Sequence, residues 1–273
     1  MKKKDSSERM FWKVILFPFR FIFRLLSLIF QGIIMSIEKV ITLFRSNGSE
    51  IKKKFTRKPS ADTYVEFSTV ESLKGDYKSF ESFIAKNPST IGIILGARGT
   101  GKSAIGLKLL ENLHVLSKKN FYAMGFKDLP DWIDVVEDIN DIKTDSFVLI
   151  DEGGILFSSR KSFSDANKLL SELLLVARHN DLSILFISQN SSNLEINAIR
   201  QADYLIMKPS SLLQKDFERK KIKEIYDESS DKFEEYKNTK GITYIYSDQF
   251  KGFVTNTLPT FWSQKVSKSF RKK

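Results

Sequence analysis

Residues 96–103 read Gly96-Ala97-Arg98-Gly99-Thr100-Gly101-Lys102-Ser103, behind the apolar run Ile91, Ile93, Ile94, Leu95 and ahead of helix-favouring sequence. A G-x-x-x-x-G-K-S pattern carries physical meaning in this setting of strand, glycine-rich turn and helix. The glycines let the chain curl until successive backbone N–H groups and the next helix's N-terminus point into one concavity. Their partial positive charge stabilises an anion there. The stretch therefore reads as a phosphate-binding loop. Gly96, Ala97, Arg98, Gly99, Thr100 and Gly101 cradle the phosphates of ATP, Lys102 reaches the β and γ phosphates, and Ser103 holds Mg2+. The plainer alternative is an ordinary glycine-rich turn.

Downstream, Ser103 to Leu116 predicts a helix with Ile105, Leu107, Leu109, Leu110 and Leu113 on its buried side. Residues 121–126 read as a short strand, and the acidic stretch 128–145, which contains Trp132, takes no clear assignment. Ser146-Phe147-Val148-Leu149-Ile150-Asp151-Glu152 is an apolar strand ending in two carboxylates. A buried strand of a parallel sheet delivers its last side chains to the carboxyl edge, where the phosphate loop also lies. Asp151 is expected to orient Mg2+ or its water ligand, and Glu152 to polarise the attacking water as general base. The alternative is a carboxylate pair that merely starts a turn.

Ser183-Ile184-Leu185-Phe186-Ile187-Ser188-Gln189-Asn190 is a second apolar strand, ending in amides. Gln189 offers both a donor and an acceptor, which suits sensing a γ phosphate or placing the lytic water; a satisfied strand-end polar group is the plainer role. The intervening helix, about 165–177, ends at Arg178-His179-Asn180-Asp181. Two roles are open to Arg178: complementing the helix C-terminus, or acting across a subunit interface as an arginine finger. Arg160 and Arg200 are lesser finger candidates.

The chain has 273 residues, 41% of them hydrophobic, enough to bury a core of one or two domains. It has no cysteine, which excludes disulfides and thiolate metal sites. His114 and His179 sit in no ligand-like cluster, which argues against zinc. A net charge of +11 invites a nucleic-acid reading, but the charge belongs to the ends. Residues 1–60 carry 14 Lys/Arg against 4 Asp/Glu, and residues 260–273 add five bases and no acid. Residues 61–259 hold 25 bases against 29 acids.

From Phe11 to Ile37 the chain is dominated by Phe, Ile and Leu. At about 100° per residue, Lys13, Arg20, Arg24 and Gln31 fall within roughly 20° of one line, leaving a wide apolar face. The longest uncharged stretch, Leu25 to Ile37, is shorter than the roughly 18 to 20 residues a span needs. An amphipathic helix lying in the membrane interface fits this pattern, its cationic side chains snorkelling toward headgroups and Pro18 starting or kinking it. A tilted span from Phe21 to Phe44 and a helix packed on a partner protein are the other readings. A secretory signal fits poorly, for want of a small-residue cleavage site. Arg45, Lys52, Lys53, Lys54, Arg57 and Lys58 then form a basic linker. Each such charge is worth on the order of 1 kcal/mol at an anionic surface.

Toward the C-terminus, residues 202–207 read as the last core strand and 212–226 as one charged helix. Its Arg219-Lys220-Lys221 is either a solvated face or a DNA or subunit contact. Residues 241–255 alternate Ile242, Tyr244, Tyr246, then Phe250 and Phe253, as a hairpin does. The ending from Lys265 is a basic tail suited to phosphates or lipid.

Taken together, Gly96 to Ser103, Asp151-Glu152, Arg178-His179 before a strand, Gln189 at that strand's end and Ile199-Arg200-Gln201-Ala202-Asp203 resemble the FtsK/HerA superfamily of DNA-pumping ATPases. Asp151-Glu152-Gly153-Gly154 through Phe157 and Arg160 is similar, within it, to Zot-like morphogenesis ATPases of filamentous phages and to small viral genome-packaging ATPases. The resemblance spans roughly Ser89 to Pro209. It implies an α/β P-loop NTPase of the additional-strand, catalytic-glutamate (ASCE, RecA-like) kind with a mostly parallel central sheet. It also implies a homo-oligomeric ring in which neighbours complete each ATP site. The hydrophobic segment stands at the front here, whereas the Zot-like proteins place theirs after the core. The expected organisation is a membrane-associating segment 1–44, a basic linker 45–60, a P-loop ATPase domain 61–259 and a basic tail 260–273. The expected function is a membrane-associated ATPase on the cytoplasmic face that translocates, packages or exports DNA. A Zot-like secretion ATPase acting on protein, and a nucleotide-dependent switch or scaffold, are the alternatives.

Overall fold

Five consecutive apolar residues, Ile91–Leu95, form a strand buried at every position, as a strand covered on both faces must be. The computed structural model describes residues 63–152, 171–175, 177, 179–194, 196–263 and 266. The expected membrane-associating segment, the basic linker, Arg160, Arg178 and most of the basic tail lie outside the described residues. Among those described, no helix is long and apolar enough to cross a membrane.

Among the described residues, nine strands build one sheet: β1 (Ser68–Gly75), β2 (Ile91–Leu95), β3 (Asn120–Met124), β4 (Ile133–Val135), β5 (Ser146–Asp151), β6 (Leu182–Ile187), β7 (Tyr204–Met207), β8 (Thr243–Ser247) and β9 (Phe250–Thr255). Their spatial order is β1-β9-β8-β7-β2-β6-β5-β3-β4. From β7 to β4 every pairing is parallel. On the other side β8, β9 and β1 are added antiparallel. One strand, β6, lies between β2, which runs into the glycine loop, and β5, which carries Asp151. The α/β class and its mostly parallel sheet therefore stand.

Alternation along the strands splits the core in two, as a two-residue period dictates. Ile91, Ile93 and Leu95 of β2 and Val148 and Ile150 of β5 pack on one face with Ile222, Ile225 and Tyr226. Ile94, Phe147 and Leu149 pack on the other with Phe80, Ile84, Ile105 and Leu110. The helices are α1 (Tyr77–Lys86), α2 (Lys102–Leu116), α3 (Ile196–Gln201), α4 (Leu212–Asp216) and α5 (Lys220–Glu235), with residues 171–175 also helical. Asp76 caps α1, its carboxylate accepting the Ser79 N–H at 2.9 Å.

The helix after the loop, α2, buries the five apolar residues expected of it, and Lys108, Glu111 and Asn112 as well. These polar groups are paired off. Lys108 Nζ donates to Glu111 Oε2 at 2.7 Å and to the Thr63 carbonyl at 3.0 Å. Asn112 donates to the Val65 carbonyl at 2.8 Å and to Glu81 at 3.2 Å, and Glu111 accepts the Thr260 N–H at 3.0 Å. Segments from both ends of the described chain are thereby fastened to the helix that follows the phosphate loop.

The structure revises or completes the sequence reading at several places. The single helix 212–226 is two, α4 and α5, broken at Phe217–Arg219 because Glu218 and Arg219 bond to Ser191 instead of continuing the helix. Arg219 is accordingly no solvated face, since its guanidinium is held by backbone carbonyls. The unassigned stretch 128–145 supplies the short edge strand β4 and a 3-10 turn at Ile139–Asp141. In the hairpin β8–β9, Tyr244 and Ile245 are both buried rather than alternating, because the sheet is covered on both faces there.

Candidate nucleotide site

Register brings the site together. Ile94 of β2 pairs with Ile187 of β6, and Ile187 with Asp151 of β5. The residues that follow this row, Leu95-Gly96, Ser188 and Glu152, leave the sheet side by side at its carboxyl edge. Backbone bonds fix the row, Ser188 N–H donating to the Ile94 carbonyl at 3.0 Å and Lys208 N–H to the Leu95 carbonyl at 2.8 Å.

Gly96 opens the loop with φ +146, and a Cβ there would stand 2.6 Å from the Lys208 Cβ; only glycine fits. Ala97 N–H is tied to the Pro209 carbonyl at 3.0 Å, and the Thr100 hydroxyl donates to the Ala97 carbonyl at 2.7 Å. Arg98 and Gly99 are exposed. Gly101, at φ +92, turns the chain into α2 with no side-chain cap, so the first N–H groups of that helix remain available to an anion.

Lys102 is buried and its ammonium donates to the carbonyls of Gly96 at 2.7 Å and Ala97 at 2.9 Å. Burial pushes its pKa down, with Asp151 and Glu152 pulling it back up. The Ser103 hydroxyl donates to Asp151 Oδ2 at 2.9 Å. Glu152 is buried, and Ser188 Oγ donates to its Oε2 at 2.5 Å. Burial raises the Glu152 pKa and the Asp151 charge adds to the rise, while the Ser188 bond and Lys102 oppose it. A carboxylate with a raised pKa is a better proton acceptor than an exposed one.

Ser103 and Asp151 present hydroxyl and carboxylate oxygens on adjoining elements. Such hard donors suit Mg2+, which takes one or two protein oxygens and completes its shell from phosphates and water. Among the described residues, no group of three His, Asp or Glu side chains forms a metal cage. His114 stacks on Trp132 with ring centroids 4.3 Å apart, and His179 is exposed.

Gln189 stands just beyond β6 with its side chain exposed, and its carbonyl accepts from Gln214 Nε2. The strand-end side chain that touches Glu152 is its neighbour, Ser188. Arg200 is exposed in the last turn of α3. Two participants had no sequence signal: Ser188, a serine beside a more conspicuous glutamine, and Lys208, a lysine after an apolar strand. Lys208 is buried beneath the loop, its Nζ donating to the carbonyls of Gly241 at 2.8 Å and Ile242 at 3.3 Å. Burial lowers its pKa to about 7.

No family model matches the chain, and no curated protein does. Similar solved structures include B204, the DNA-packaging ATPase from Sulfolobus turreted icosahedral virus, at 17% identity and TM-score 0.45, covering 62% of this chain and 98% of that one. The genome packaging NTPase B204 from Sulfolobus turreted icosahedral virus 2, in complex with ATP-γS, is similar at 17% identity and TM-score 0.42 over 63% of this chain and 100% of that one. EssC (ATPases 2 and 3) from Geobacillus thermodenitrificans is similar at 12% identity and TM-score 0.42, over 78% and 49%.

Proposed function

We propose that the chain binds Mg-ATP in the 96–103 loop and hydrolyses it, and that hydrolysis drives movement of DNA or a nucleoprotein through a homo-oligomeric ring held at the cytoplasmic face of a membrane. The observation that carries the ATPase reading is the convergence of Ser103 and Asp151, 2.9 Å apart, with a buried Glu152 beside them at the end of the phosphate loop. Mg2+, when bound with the nucleotide, neutralises phosphate charge; Ser103 and Asp151 would hold it. Lys102 leaves the Gly96 and Ala97 carbonyls for the phosphates. Glu152, with Oε2 held by Ser188, accepts the proton of the attacking water at its other oxygen. The water oxygen bonds to the γ phosphorus and ADP departs as leaving group. Arg178 of a neighbouring subunit is the candidate for completing the site, and Gln189 the candidate for sensing the phosphate.

The DNA part of the reading is supported by the sequence resemblance that runs from Gly96 through Asp203. Steady-state ATPase activity of the assembled full-length protein, with and without duplex and single-stranded DNA, tests it. Several-fold stimulation by DNA is expected. Equal rates in all three conditions would overturn the DNA motor and favour a secretion ATPase acting on protein. The membrane part rests on the polar stripe of Lys13, Arg20, Arg24 and Gln31. Flotation on anionic liposomes should fall after Arg20→Glu with Arg24→Glu, and unchanged recovery would remove the interfacial helix.

A further inference from the structure

The segment leaving β6 is bonded at one end to the Glu152 carboxylate and at the other to the elbow between α4 and α5. Ser188 Oγ donates to Glu152 Oε2 at 2.5 Å and accepts the Asn190 N–H at 3.3 Å. Its hydroxyl therefore bridges the carboxylate and the backbone of the loop. Three residues on, buried Ser191 gives its N–H to Glu218 Oε2 at 2.7 Å. The Ser191 hydroxyl accepts the Arg219 N–H at 3.0 Å, and its carbonyl accepts Arg219 Nε–H, also at 3.0 Å. The carbonyl of Leu194 accepts from Arg219 Nη2, and that of Gln189 from Gln214 Nε2, whose amide also reaches Glu218 Oε1 at 3.2 Å.

Bonds to ionised groups such as these are shorter and stronger than neutral ones. Segment and elbow are therefore strapped together, and a displacement of Glu152 either breaks its bond to Ser188 or carries the segment along. On its outer side the elbow leaves Leu213 77% and Phe217 69% exposed.

We propose that Ser188 is a positioning residue for Glu152, and that the 188–194 segment passes the position of that carboxylate to the α4–α5 elbow, so that the nucleotide state is read out at Phe217. The inference rests on the ATPase reading above and adds to it the route by which the site reaches the surface.

The chain has no cysteine, so Phe217→Cys in the full-length protein accepts a single environment-sensitive fluorophore. The label is followed on addition of Mg-ATPγS in otherwise native protein and in Ser188→Ala, Ser188→Thr and Arg219→Ala backgrounds. Affinity for a fluorescent ATP analogue and kcat are measured alongside, with a thermal melt of each variant. The labelled native protein should respond to nucleotide. Ser188→Ala should keep nucleotide affinity within about threefold, lose about tenfold or more in kcat, as misplacement of a general base does, and lose the label response. Ser188→Thr, which retains the hydroxyl, should restore both. Arg219→Ala leaves Ser188 on Glu152 and should keep kcat within about threefold while the response disappears; it carries the test alone if Ser188→Ala does not fold. Native kcat in a folded Ser188→Ala variant, or an intact response in Arg219→Ala, would overturn the inference. Nucleotide binding with a silent label in the native background would overturn it too, leaving the ATPase reading standing. Absence of nucleotide binding in that background would overturn both.

Discussion

Replacing Lys208 by methionine tests whether the ammonium beneath the phosphate loop is held there against its solvation. The side chain is 2% exposed, and two backbone carbonyls accept its hydrogen bonds. Desolvation lowers its pKa from 10.5 to about 7. Between those values the unfolded chain binds a proton that the folded chain does not, so stability rises with pH across the window. Below about pH 7 both states are protonated and the dependence vanishes; above 10.5 neither is, and the stability is fully present. Integrated from pH 7 to pH 9, the native protein should gain about 2 kcal/mol relative to Lys208→Met, which has no titrating group there. Urea denaturation of both proteins at pH 7, 8 and 9 measures this, since groups common to both cancel in the difference. A stability difference constant to within about 0.5 kcal/mol over that range, below the additivity error of distant sites, would refute a buried lysine with a depressed pKa.

Other consequences follow from the same contacts. Lys108→Met leaves Glu111, 2% exposed, without its cation and should cost about 3–5 kcal/mol in chemical denaturation. Gly96→Ala places a Cβ 2.6 Å from the Lys208 Cβ at φ +146 and should cost at least about 2 kcal/mol, with nucleotide affinity, read by a fluorescent analogue, falling in step. Because burial raises the pKa of Glu152 in the free protein, kcat/KM, which reports free-enzyme groups, should decline as pH falls through a value above the ordinary glutamate range. A pH–rate profile whose acid limb sits at an exposed glutamate's pKa would contradict that.

The parts of the fold that were legible in the sequence are those written in contiguous residues. The loop from Gly96 to Ser103 and the apolar strand ending at Asp151 and Glu152 each carry their pattern within eight residues, and β2, α2, β5, β6 and the β8–β9 hairpin all form where periodicity places them. What escaped depends on contacts distant along the chain. The strand β1 has a mostly exposed pattern, so hydropathy gives no sign of it, and it forms by pairing with β9. The break between α4 and α5 is made by Ser191, 27 and 28 residues upstream of the groups it binds. Lys108, Glu111 and Asn112 look like the polar face of an amphipathic helix, yet they are buried because segments around Thr63, Val65 and Thr260 close over them. Ser188 gives no sign of its role in the sequence, because the amide of Gln189 beside it is more conspicuous than a hydroxyl. Only the 2.5 Å contact with Glu152 distinguishes it.

The account depends on the loop gripping triphosphate while the neighbouring carboxylate activates water. Its most direct test is nucleotide affinity and steady-state turnover measured together for the native protein, Lys102→Ala and Glu152→Gln. The geometry predicts that Lys102→Ala loses both, and that Glu152→Gln keeps its affinity while kcat falls about 10²- to 10⁴-fold. Undiminished binding and turnover in Lys102→Ala, or native turnover in Glu152→Gln, would contradict it.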